Sequence, residues 1–189
     1  MPSESRGACI TPWIRVFTRR SRPPRARLLC CPYAGGSAGI FRTWATYLPL
    51  DVELWALQYP GREERLLESA FTRVADLVAT AAQSIGGLLE QVPYVIFGHS
   101  LGALVAFELI RELRRGGQPL PKSLFVSGAR NPRFNAFKGN PRHLWPDPEF
   151  IGELRRIGGT PPDLLENEEL MDLMLPTLRA DFALVDTYE

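Results

Sequence analysis

Gly98-His99-Ser100-Leu101-Gly102 is the segment of this chain whose residue types and spacing could do chemistry. The pattern G-x-S-x-G lies directly after an apolar run over residues 94–97 and directly before a helical stretch over 101–114, the context of a nucleophile elbow. Such a strand-to-helix turn is strained, and glycines two residues to either side of Ser100 are needed where a side chain would crowd neighbouring backbone. The turn exposes the hydroxyl, and the start of the helix aims N–H groups and the positive end of its dipole at an oxyanion forming beside it. The bare pattern arises by chance in roughly one chain of this size in fifteen, and the flanking strand and helix are what make it specific.

A second segment agrees with the first. The apolar run over 28–31 leads into Pro32-Tyr33-Ala34-Gly35-Gly36-Ser37-Ala38-Gly39, a tight glycine-rich loop. It lacks the Gly-Lys-Ser/Thr ending of a phosphate loop, and its spacing fails the G-x-G-x-x-G dinucleotide fingerprint. In an α/β hydrolase such a loop follows the strand beside the nucleophile strand and supplies the second oxyanion donor, so the backbone N–H groups of Ala34 and Leu101 are the expected pair.

Five strands are expected to position these loops, over 13–17, 28–31, 52–57, 94–97 and 124–126, with helices between them near 41–48, over 74–89 and over 101–114. Strands alternating with helices imply crossovers and a mostly parallel sheet covered on both faces, an α/β fold. Cys30 and Cys31 would then point to opposite faces. Beyond Asn131 seven of the 17 prolines punctuate two amphipathic helices, expected over 149–157 and 168–178, with no strand. This appendage packs as core or closes over the site as a lid.

Length and charge narrow the function. A chain of 189 residues, 45% hydrophobic and 23% charged, fits one globular domain, and a net charge of +1 provides no global field for nucleic acid or an acidic membrane. Six of the 20 arginines fall between Arg15 and Arg27, read as a solvated basic turn. Three cysteines and two histidines give neither a disulfide framework nor metal-ligand spacing, so no metal and no cofactor are expected. With no signal-peptide or membrane-spanning run, a reducing cytoplasm is the expected location, and the chain is expected to be a monomer.

The sequence resembles the type II thioesterases that accompany polyketide synthases and nonribosomal peptide synthetases. The likeness runs through Pro32-Tyr33-Ala34-Gly35-Gly36, Tyr59-Pro60-Gly61-Arg62, Phe97-Gly98-His99-Ser100-Leu101-Gly102, Ser127-Gly128-Ala129-Arg130, Gly158-Gly159-Thr160-Pro161 and Leu178-Arg179-Ala180-Asp181. Tyr33 stands where many members have His, a tolerated change when the donor is the next residue's backbone. The resemblance implies an α/β-hydrolase fold with a helical lid at about 141–188. It also implies a reaction in which Ser100 attacks the thioester joining an acyl group to the phosphopantetheine arm of an acyl or peptidyl carrier protein, after which water releases the acid. The substrate's arm belongs to the partner and is no cofactor of this chain.

A serine hydroxyl needs a general base, and the fold places an acid and then a histidine after the serine. Downstream only His143 is available, in a segment resembling the family's lid, and His99 is read as a packing residue. Asp163, Asp172, Asp181 and Asp186 are the loosest of candidate acids, with Asp181 expected to be structural. The chain stops where the family continues into its two last strands, whose loops carry the triad Asp and His. The expectation is therefore the front part of a longer thioesterase. The alternatives are a short non-catalytic form that binds acyl-carrier protein and a general carboxylester hydrolase. Without those strands, the run over 124–126 becomes an exposed apolar sheet edge.

Overall fold

The computed structural model describes residues 8–17, 23–131 and 139–189. Strands β1 (Ala8–Thr11), β2 (Ile14–Val16), β3 (Ala26–Cys31), β4 (Val52–Leu57), β5 (Tyr94–His99) and β6 (Leu124–Ser127) form one sheet in the order β1-β2-β4-β3-β5-β6. β3 runs parallel to β4 and β5, and β5 to β6, while β1, β2 and β4 pair antiparallel. Parallel neighbours require crossovers. Helix α1 (Val74–Ile85) lies between β4 and β5, and α2 (Leu101–Arg115) between β5 and β6.

Alternation along the strands makes two cores. Leu29, Cys31, Trp55, Leu57, Tyr94 and Ile96 share a cluster with residues of α1 and α2, whereas Cys30, Leu54 and Ala56 share another with Phe41, against which Phe97 packs edge-on. Cys30 and Cys31 thus do face opposite sides, and burial pushes both free thiols well above the usual range.

Several expectations over local structure need correction. The strand expected over 13–17 is β2, shorter at both ends, and the strand not expected is β1, which pairs with it as a hairpin across a turn after Thr11, with buried Trp13 just before β2. Residues Ala38–Thr46 form a 3-10 helix, and α1 gives way after Ile85 to a further 3-10 segment, Gly86–Gln91, because two adjacent glycines weaken an α-helix there. Of the six clustered arginines, Arg19, Arg20 and Arg22 lie outside the described residues, but Arg15 and Arg27 are not solvated. Arg15 pairs with Glu64, and Arg27 is buried over Trp55, bonded to Glu53 at 2.9 Å and to the Leu88 carbonyl at 2.6 Å.

After β6, the described chain forms α3 (Asp147–Ile157), the short α4 (Pro162–Leu165) and α5 (Glu168–Asp186). Phe150, Leu154, Leu165, Met171, Leu175, Leu178 and Phe182 make a separate apolar cluster. α5 continues past Leu178 despite Pro176, which forfeits one internal hydrogen bond, because Phe182 closes this cluster and Leu184 enters the main core. Among the described residues β6 is a sheet edge, with Phe125 55% and Val126 60% exposed.

Candidate active site

β3 and β5 are adjacent and parallel, with Cys31 opposite Gly98, so the loop after β3 and the turn after β5 leave the sheet at the same end. This register brings Ala34, Ser100 and Leu101 to one end of the sheet. α2 can begin so close to the strands only because side chains are missing: a Cβ on Gly98 would lie 2.1 Å from the Gly102 carbonyl oxygen, and one on Gly102 would lie 2.0 Å from that of Cys31.

Ser100 itself carries the strain of the turn, with φ 52° and ψ −120°. For a residue with a side chain this conformation costs on the order of 1–3 kcal/mol. Its N–H donates to the Ser127 carbonyl at 2.9 Å, and its carbonyl accepts from Ala103 N–H at 3.0 Å. Serine before a helix ordinarily caps it through the hydroxyl. Here the side chain makes no capping bond, and Ser100 is exposed. Leu101 is the first residue of α2, so the helix itself leaves its N–H without a partner. A hydroxyl free of capping beside helix N–H groups can attack a carbonyl and have the resulting oxyanion held.

Ala34 is half-buried and touches both the main core and the cluster of α3, α4 and α5. The next residues are tied across the fold. Gly35 N–H donates to Asp181 Oδ2 at 2.7 Å, and Arg62 holds the same carboxylate with two bonds, at 2.9 and 2.8 Å. Asp181 is buried, and its role toward Arg62 and the loop was not legible, although both residues stand in segments that carry the family resemblance.

The two histidines lie elsewhere. His99 is exposed, with Nδ1 3.1 Å from Ser127 Oγ and its ring edge-on to Tyr33. His143 Nδ1 is 3.3 Å from Asp186 Oδ2, and Asp186 also accepts from Arg142 and from the His143 N–H. Among the described residues no His, Asp or Glu is hydrogen-bonded to Ser100 Oγ, and no three potential metal ligands cluster. A groove of about 200 Å³ between α3, α4 and α5 is lined by Ile151, Leu165, Met171 and Leu175 together with Asp147, Glu168 and Asp172. None of the described helices is long and apolar enough to cross a membrane.

Known proteins resemble this chain in sequence and in fold. The chain is 41% identical over 165 residues to the gramicidin S biosynthesis protein GrsT of Aneurinibacillus migulanus, covering 87% of this chain and 64% of that protein. It is 38% identical over 177 residues to the thioesterase PikA5 of Streptomyces venezuelae, covering 93% and 62%. It therefore spans less than two thirds of the length of these curated relatives. The solved RedJ thioesterase from the prodiginine pathway of Streptomyces coelicolor superposes with a TM-score of 0.81 at 34% identity, over 91% of this chain and 69% of that one. For the type II thioesterase BorB from the borrelidin cluster the TM-score is 0.79 at 34% identity, over 96% and 73%. The fold is that of the α/β hydrolases, as expected. Residues 26–189 match the thioesterase domain family, and the chain belongs to it.

Proposed function

We propose that this chain carries the nucleophilic serine of a type II thioesterase that removes acyl groups from the phosphopantetheine arms of acyl or peptidyl carrier proteins in polyketide or nonribosomal peptide synthesis. The observation that carries the reading is Ser100, exposed, uncapped and held at positive φ between β5 and α2. Its Oγ attacks the thioester carbonyl, the C–S bond breaks, and the arm leaves as a thiol that takes up the serine's proton. Water then attacks the acyl-serine ester, freeing the acid and returning a proton to Ser100. Ala34 N–H and Leu101 N–H stabilise the oxyanion in both steps. The general base is the His, oriented by an Asp, that the family resemblance implies, since neither His99 nor His143 is hydrogen-bonded to Ser100 Oγ.

In this reading α3, α4 and the first half of α5 form the lid that shapes the acyl chamber, and no cofactor takes part. The protein acts as a monomer in the cytoplasm, a location supported by its unpaired cysteines. The test is hydrolysis of an acyl-phosphopantetheinyl carrier protein by the protein purified from its own host. Ser100→Ala should lower the rate by about a thousandfold or more. An unchanged rate would refute the assignment, and carrier binding without Ser100-dependent turnover would mark a binding protein instead.

A further inference from the structure

The direction of the Ala34 N–H is set by groups that lie outside the catalytic elements. The turn from Tyr33 to Gly36 is closed by Gly36 N–H, which donates to the Tyr33 carbonyl at 2.9 Å. A trans peptide is planar, with its C=O and N–H on opposite sides. Drawing Tyr33 O into the turn therefore points the Ala34 N–H out of it. The following peptide is fixed separately, because Gly35 N–H donates to Asp181 Oδ2 and the Ala34 carbonyl must face away from that carboxylate. Gly35 has φ 76°, and a Cβ there would lie 2.7 Å from Leu178 Cδ2, so both the bend and the approach of α5 exclude a side chain.

Asp181 is held in turn by Arg62, which also donates to the Gly36 carbonyl at 2.9 Å and to the Pro60 carbonyl at 3.2 Å. Tyr59, beneath the Arg62 guanidinium, donates its hydroxyl to the Pro32 carbonyl at 3.3 Å. The polar groups to either side of the Ala34 N–H are thus engaged, by residues 26 to 146 positions away in sequence. A fixed carboxylate beside an oxyanion loop would oppose the charge that develops there. The bidentate arginine offsets it while sharing both carboxylate oxygens.

Resting on the reading of Ser100 and Ala34 given above, we propose that Asp181 and Arg62 are positioning residues for thioester hydrolysis. Asp181 fixes the Ala34–Gly35 peptide through its bond to Gly35 and so keeps the turn that directs the Ala34 N–H in place, and Arg62 holds Asp181 and cancels its charge. Neither touches the reacting atoms. A staple that merely joined α5 to the loop would contribute stability and leave the chemical step alone.

Asp181→Asn and Asp181→Ala separate the two roles, because both lose the ion pair and only Asn keeps an oxygen for the Gly35 N–H. Steady-state hydrolysis of an acyl-pantetheine thioester would be followed for each, with melting curves and Ser100→Ala alongside. Asp181→Ala should lose about tenfold or more in kcat with KM within about twofold, a fraction of what deleting an oxyanion donor costs. Asp181→Asn should recover most of kcat while melting as low as the Ala variant. Equal kcat losses in the two variants, or none in either, would overturn the inference while Ser100-dependent hydrolysis persists. Hydrolysis indifferent to Ser100→Ala would overturn the functional reading itself, and this inference with it. Should Asp181→Ala not fold, Arg62→Lys, which gives up the two-pronged hold on Asp181, is followed in the same way: a fall in kcat with KM within about twofold supports the inference, and an unchanged kcat refutes it.

Discussion

Ser100 shows how one residue can work against the fold for the sake of its hydroxyl. Its φ of 52° suits glycine, and its Oγ gives up the capping bond that serine usually makes. Replacing it with glycine should therefore stabilise the protein by about 1 kcal/mol, less the extra chain entropy glycine adds to the unfolded state, while abolishing hydrolysis. Urea unfolding checks this, and a Ser100→Gly variant less stable than the parent by more than about 1 kcal/mol would show that the turn is not strained. The elbow was legible in sequence because all its determinants are local: two glycines at fixed offsets, an apolar run before and an amphipathic run after. Arg62 and Asp181 were not legible as a pair, since they lie 119 residues apart and no periodicity links them. What the sequence did contain was an arginine and an aspartate in segments that carry the resemblance.

At the scale of elements, α5 joins the two cores, against both of which Ala34 also packs. Leu175, Leu178 and Phe182 pack with α3 and α4, and Leu184 packs with the sheet. Sequence reasoning ended this helix at residue 178 and so missed the half that anchors it. The apolar pattern blurs there as α5 passes from a one-sided lid contact to burial on several sides, with Ala180, Phe182, Ala183 and Leu184 all buried. The hairpin of β1 and β2 was missed for another reason: Thr11-Pro12-Trp13 interrupts two runs too short to show alternation. A lid with its own core should open without the sheet. Phe150, fully buried and 4.9 Å from Phe182 ring to ring, is the residue to remove. Phe150→Ala should cost about 3–5 kcal/mol within the lid cluster. Hydrogen exchange should then rise over α3, α4 and the first half of α5 and hold steady in β3, β4 and β5. A uniform rise across the sheet would show that the two cores unfold as one.

For the molecule as a whole, the parallel strands β4, β3, β5 and β6 bring the glycine-rich loop after β3 and the serine turn after β5 to one end of the sheet, and the C-terminal helices lie over the loop through Leu178 and Asp181. Among the described residues β6 is an exposed edge, as its apolar run led one to expect, with Phe125 and Val126 open to solvent. The most direct measurement of whether this assembly activates a serine is an intact mass spectrum of the protein from its own host after exposure to a fluorophosphonate, with the adduct mapped by peptide digestion. A single adduct on Ser100, lost in Ser100→Ala, is the predicted result. No adduct, or one carried by any other residue, would contradict the assignment of Ser100 as the nucleophile.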